Sequence, residues 1–276
     1  MNNVYIMSAN RSAIGGFGGT LKNHCPVDLG TLVAKEAIKR SGFEANEVEH
    51  AVFGNVIHTE PRDMYVSRVI ALQAGMDKAS AALTVNRLCG SGLQAIVSAS
   101  QILMLGDASV AMAGGVEVMS NGAHIVQGFR WGSRMGDGQV HDMMLGALHD
   151  PFGHGHMGIT AENISSRYQI SREMQDEFAL TSQKRAYEAI ENGAFKDQIL
   201  PIEIKTRKGI EIFEIDEHPK PETSMETLTG LRTAFKKDGV VTAGNASGIN
   251  DGASALVLAN EEKAKSGKPL ARVVSY

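Results

Sequence analysis

Apolar residues along the first 120 positions follow two interleaved periods. Residues 3–9 (NVYIMSA), Glu49–Ile57, Ala82–Asn86 and Ala108–Gly115 are short apolar runs bounded by turn residues, which predicts four strands. Between them, Asp28–Arg40 places Leu29, Leu32, Val33 and Ala37 at helical spacing and stops at Ser41-Gly42. Arg68–Ala74 predicts a short helix and Gly92–Leu105 a longer one, while Gly15–Leu21 reads as a loop. Strands and helices that alternate through short connections build a mostly parallel sheet with crossover helices.

The pattern breaks at Ser120. Ser120–Gly158 is rich in Gly, His, Met and Asp and weakly periodic; a connection this long is functional or an inserted subdomain. Helical spacing returns over Thr160–Tyr168 and Arg172–Asn192, the second after a capping-box-like start (SREM) at Ser171. Gln198–Ile215 alternates like a hairpin, and Val241–Asn260 is a glycine-rich loop followed by an apolar strand. The architecture expected is a layered α/β domain with a mixed, mostly parallel sheet, formed by residues 1–119 and 246–270. An inserted loop subdomain at 120–245 interrupts it. The last residues, 271–276, read as the start of a further domain. The chain shows neither an internal repeat nor a low-complexity tract.

Composition adds limits. With 276 residues, 43% apolar and 21% charged, the chain is an ordinary globular protein with enough length for a real core. A net charge of −4 gives no electrostatic footprint for nucleic acid. An anionic ligand must then be held locally, by a few Lys or Arg or by helix N-termini. The start, MNNVYIMSANR, lacks the pattern of a signal peptide. The longest uncharged stretch, between Arg87 and Asp107, carries three Gly, three Ser and two Gln, which reads as a buried helix rather than a membrane span. Two distant cysteines make no disulfide framework, which points to a reducing cytoplasm.

One of those cysteines, Cys89, sits in the turn TVNRLCGSGLQA between a predicted strand and a predicted helix. Three readings compete. Gly90–Ala95 fits the dinucleotide fingerprint G-x-G-x-x-A, but the acidic residue expected about 20 positions on is missing from VAMAGG. A free cysteine is also often a small buried hydrophobe. The third reading is a nucleophile: a strand-to-helix turn resembles a nucleophile elbow, glycines 90 and 92 allow a tight turn and close approach, and the helix start favours thiolate and offers N–H donors to an oxyanion. Elsewhere, His154 and His156 form H-x-H without a cysteine or carboxylate cluster at ligand spacing, so no metal is expected. Lys205–Gly209 reads as a solvated turn and Cys25 as structural.

The wider sequence favours the nucleophile. NRLCGSGLQA resembles the nucleophile motif of thiolases, the acetyl-CoA acyltransferase family. RSAIGGFGG, GGVEVMS, HMGITAEN and VTAGNASGINDGA resemble further segments of that family in the same order. TEPRDMY, RWGSRMGDG and MMLGALHDP are most similar to bacterial β-ketothiolases. The resemblance runs along essentially the whole chain. It implies that Cys89 carries the acyl group in a reversible Claisen condensation, in which acyl-CoA plus acetyl-CoA gives 3-ketoacyl-CoA plus free coenzyme A. Coenzyme A and acyl-CoA enter as substrates, with no tightly bound cofactor. The family also implies a homo-oligomer, dimer or tetramer, without nucleic-acid or membrane partners. Carried over residue by residue, His156, Met157 and Leu148 line the pantetheine tunnel. Leu231, Ala234 and Phe235 pack on coenzyme A, and Ala243 and Ser247 touch the pantetheine amides. Lys220 stands where relatives often place a phosphate-binding arginine.

Complete family members are longer. Their second half supplies a G-H-P histidine, a C-x-G cysteine and an N-E-A-F asparagine. Here His218-Pro219 lacks the preceding glycine, Ala45–Val48 comes too early, and Cys25 lies upstream of Cys89. The resemblance therefore implies an N-terminal half with its loop domain. Groups that act as one unit are not partly dispensable, so little or no turnover is expected of these residues alone. The helix after Cys89 is apolar or small all round, and a bare side would drive self-association. The rival reading is a non-catalytic coenzyme A-binding or assembly module. A condensing synthase shares a cysteine turn but is not expected to keep HMGITAEN together with AGNASGINDGA.

Overall fold

The alternation predicted for the first 120 residues is present in a computed structural model, which describes residues 3–276. Seven elements succeed one another: β1 (Val4–Ser12), α1 (Pro26–Ser41), β2 (His50–Gly54), α2 (Val66–Gln73), β3 (Ala81–Val85), α3 (Ser91–Leu105) and β4 (Val110–Val118). Later come α4 (Met157–Tyr168), α5 (Arg172–Glu191), β5 (Ile199–Leu200), β6 (Ile202–Thr206), β7 (Gly209–Phe213), β8 (Asn250–Asn260) and β9 (Ala271–Val273).

The chain divides into two units. One holds Met1–Gly122, Asp197–Ile215 and Asn250–Tyr276; the other holds Ala123–Lys196 and Asp216–Ile249. The hairpin β6–β7, which the sequence places inside the insertion, thus groups with the first unit. So does β9, which pairs antiparallel with β1.

The sheet of the first unit runs β5-β1-β8-β4-β2-β3. β2 is parallel to both β3 and β4, and β8 lies antiparallel between β1 and β4. Strands β1 to β4 therefore share one direction, and β8 alone of this row is reversed. β4 is apolar and buried along most of its length, as a strand covered on both faces must be. Its residues alternate between layers: Val116 meets Gly30 of α1, and Gly115 meets Gly92 of α3. On α3, Ala95, Ala99 and Leu103 repeat every four residues and pack on Val52, Ala111 and Ala113. Burying Leu103 alone contributes roughly 2 kcal/mol.

The segment Leu88–Leu105 is long and apolar enough to cross a bilayer by length and composition. Its inward stripe is sheet core, whereas Leu93 and Leu105 are largely exposed.

Two predicted boundaries move for local reasons. The strand expected over Glu49–Ile57 stops at Gly54, because the Val56 and Ile57 amides turn to the Glu117 carboxylate. The helix expected from Thr160 begins at Met157, because His156 caps it through Nδ1.

Candidate functional site

Cys89 is exposed and free, on the turn that joins β3 to α3. Asn86 opens the turn: its Oδ1 accepts the Leu88 amide at 3.0 Å. Leu88 then adopts φ +49°, the left-handed region that non-glycine residues seldom enter. The surroundings over-determine that conformation, which costs about 1 kcal/mol or more. Ser91 Oγ accepts the Arg87 amide at 2.8 Å and donates to the Leu88 carbonyl at 2.6 Å. The Gly90 and Ser91 amides close back onto the Arg87 and Leu88 carbonyls at 3.2 and 2.9 Å.

Those two amides are spent inside the turn and are not free for an oxyanion, which leaves that role to other amides at the helix start. Nor do the glycines beside the cysteine make the turn. Gly90 has φ −84°, and a Cβ on Gly92 meets nothing within 4 Å. The glycines that matter sit on the strands: a Cβ on Gly54 would stand 2.7 Å from the Ser91 carbonyl carbon, and one on Gly115 would stand 3.4 Å from Gly92 Cα. Glycines at these strand positions let the helix start settle onto the sheet.

Behind this turn lies a carboxylate that the sequence reading did not single out. Glu117, on β4, accepts from Asn55 Nδ2 (3.1 Å), Val56 N (2.9 Å) and Ile57 N (3.0 Å). It braces the chain where β2 leaves the sheet. Burial pushes its carboxyl from an ordinary 4.5 up to about 7; the backbone bonds oppose the shift, and Asp63 and Asp251 add to it. A carboxyl with a raised folded pKa binds its proton more tightly when folded. Stability therefore falls as pH climbs from about 4.5 to 7 and levels off above, by roughly 3 kcal/mol from this group. Glu117→Gln cannot titrate, although its amide leaves Val56 N–H facing a donor. We expect its midpoint of thermal unfolding to change less between pH 5 and 7 than that of the unaltered chain. Parallel curves would refute the assignment.

Cys25 contrasts with Cys89. Its thiol donates to Glu60 Oε1 at 2.6 Å, and Arg62 Nη2 approaches the sulfur at 3.3 Å. Burial and the Glu60 bond push the thiol up to about 11, so it stays protonated. Cys25, Glu60 and Asp63 bring their ligand-capable atoms within 4.8 Å of one another. Arg62, ion-paired to Glu60 and Asp28, already supplies a cation there.

The other residues singled out from the sequence lie in the second unit, and the structure sorts them into groups. His156 stacks on Phe235, with ring centroids 4.8 Å apart and planes at 20°. Gly158 lies against the Phe235 ring, where a Cβ would overlap it. His156 Nδ1 accepts the Gly158 amide at 3.0 Å, which leaves Nε2 as the N–H donor. Burial and the neighbouring His149 both lower the His156 pKa, so the ring is neutral near pH 7.

Leu148 is half-buried, and its carbonyl accepts the Met157 amide at 2.8 Å. Lys220, Leu231 and Ala243 line one cavity of about 360 Å³, together with Gln183, His218 and Leu228. Ala234 pairs through its amide with the Val241 carbonyl at 2.9 Å. Two residues stand apart: Met157 lines a separate apolar groove with Ile164 and Ile170, and the Ser247 hydroxyl turns to the Gly248 carbonyl at 3.2 Å.

Known proteins share this fold. The family model described as "Thiolase, N-terminal domain" matches residues 4–262. The beta-ketothiolase BktB of Cupriavidus necator is 54% identical, over 99% of this chain and 70% of its own length. Among solved structures, the acetyl-CoA acetyltransferase of Bacillus anthracis superposes with a TM-score of 0.95 at 48% identity, over 99% of this chain and 70% of that one. Human mitochondrial 3-ketoacyl-CoA thiolase in complex with CoA superposes with a TM-score of 0.93 at 38% identity, over 98% of this chain and 68% of that one. With a family match across most of its length and relatives this similar on either side of the cysteine turn, the chain belongs to the thiolase family of acyltransferases.

Proposed function

We propose that Cys89 is the acyl acceptor in a reversible Claisen reaction that converts two acyl-CoA molecules into 3-ketoacyl-CoA and free coenzyme A. The observation that carries this reading is an exposed thiol on a turn whose strained Leu88 is held by five local hydrogen bonds. The Cys89 thiolate adds to the thioester carbonyl, the carbon–sulfur bond to coenzyme A breaks, and coenzyme A leaves as its thiolate. A second acyl-CoA gives its α-proton to a base of the kind that the second half of family members supplies, and its α-carbon then attacks the acyl-cysteine. A carbon–carbon bond forms and the cysteine thiolate returns.

Residues of the second unit hold coenzyme A. Lys220, Leu231 and Ala243 share a cavity of a size suited to a ligand segment. His156 and Phe235 offer a stacked, neutral surface, and Leu148, Met157, Ala234 and Ser247 add contacts to the pantetheine arm. Lys220 meets a phosphate as a point charge without the planar fork of arginine. A homo-oligomer in a reducing cytoplasm completes the reading, supported by the exposed leucines of α3 and the two free thiols.

Incubation with acetyl-CoA followed by peptide mass spectrometry tests the proposal. One acetyl group is expected on the peptide that contains Cys89. Lys220→Glu should raise the dissociation constant for coenzyme A about tenfold or more through charge reversal, with alkylation of Cys89 by iodoacetamide unchanged. Coenzyme A bound without any adduct would favour the non-catalytic binding module instead.

A further inference from the structure

Asp176 is fully buried on α5, with both carboxylate oxygens engaged. Oδ2 accepts Arg172 Nε at 2.7 Å, and Oδ1 accepts Asn245 Nδ2 at 2.9 Å. Each partner reaches onward. Arg172 Nη2 donates to the carbonyls of Leu228 and Leu231 at 2.5 and 3.2 Å. Asn245 closes its own loop: Nδ2 donates to the Val240 carbonyl at 3.0 Å, and Oδ1 accepts the Thr242 amide at 2.8 Å. One carboxylate thus ties together two separate stretches, 228–231 and 240–245. These stretches supply Leu231 and Ala243 to the cavity that also contains Lys220.

Stability does not explain the arrangement. A buried ion pair roughly breaks even against well-packed apolar residues of the same volume. What it adds is direction, because an arginine fork and an asparagine amide fix carbonyls and amides at set angles. We propose that Asp176 is a positioning residue for coenzyme A: through Arg172 and Asn245 it sets the spacing of the two cavity walls. This inference rests on the coenzyme A reading above and adds a determinant of affinity that touches no ligand atom.

In Asp176→Asn, one of the two donors, Arg172 Nε or Asn245 Nδ2, faces an amide N–H instead of an oxygen. The two stretches then lose their common anchor. Calorimetric titration with coenzyme A should show a dissociation constant raised about tenfold. Iodoacetamide should alkylate Cys89 at the unaltered rate, and the far-ultraviolet circular dichroism should not change. Arg172→Lys keeps the charge but loses the fork, so a smaller weakening is expected. An Asp176→Asn chain that binds coenzyme A as tightly as the unaltered one overturns the proposal. Loss of helical signal together with altered Cys89 alkylation also overturns it, because the residue then serves general folding. Failure of the unaltered chain to bind coenzyme A overturns the underlying reading, and this inference with it.

Discussion

Replacing Cys89 by alanine abolishes acetylation by acetyl-CoA and leaves the melting temperature nearly unchanged. The side chain is exposed, and the turn is held by Asn86, Ser91 and backbone groups instead. Removing an exposed sulfur from such a frame shifts stability by no more than about 0.5 kcal/mol. The chemical effect is far larger. Cys89→Ser keeps the shape but substitutes an alcohol that is scarcely ionised at neutral pH, and a loss of at least about a thousandfold in acyl transfer is expected. Cys25 cannot take over, because its thiol is pushed up to about 11 beside Glu60. Cys25→Ala should therefore keep the adduct. Peptide mass spectrometry of the three variants decides the matter: an acetyl group surviving in Cys89→Ala, or lost in Cys25→Ala, would assign the chemistry elsewhere.

The elements of the first unit were legible because they obey two simple periods. On α1, Leu29, Val33 and Ala37 recur every four residues and are buried; on α3, Ala95, Ala99 and Leu103 do the same. The thiol itself was legible from its setting between strand and helix. What keeps it in place was not. No rule of composition puts φ +49° on a leucine, and only the bonds from Asn86 and Ser91 reveal why Leu88 accepts it.

Glu117 was hidden for a different reason. A glutamate inside an apolar strand declares itself only when three donors from the loop after β2 arrive from 60 or more residues away. Asp176 and Asn245 likewise belong to one network across 69 positions. The pattern SREM marked the start of α5 correctly, yet said nothing of what Asp176 holds. Local periodicity foretells elements, whereas long-range polar contacts appear only once the elements are packed.

Gly54, and not the glycines beside Cys89, sets where α3 begins. Gly54 ends β2, paired with Val85 on one side and Gly115 on the other, so strand pairing fixes its position. The atoms that a Cβ would meet are Ser91 C and Cβ at 2.7 Å and Ser91 O at 2.9 Å. Ordinary carbon contacts need about 3.5–4 Å, so relief requires roughly 1 Å of movement. Backbone cannot rotate out of the way as a side-chain tip can, so the start of α3 must shift. Ser91 is also the residue whose hydroxyl bridges Arg87 N and Leu88 O. Displacing it releases the left-handed Leu88 and, with it, the aim of Cys89. Gly54→Ala is expected to lose about 2–3 kcal/mol of stability and to slow Cys89 acetylation by at least about tenfold. Gly92→Ala is the matched control: its Cβ enters open space within the helix, and alanine there should be neutral or stabilising by up to about 1 kcal/mol. Chemical denaturation and acetylation rates on both variants separate the two glycines. If Gly92→Ala is the damaging change and Gly54→Ala is silent, the cysteine is held by its own turn and not by the packing of α3 against the strand ends.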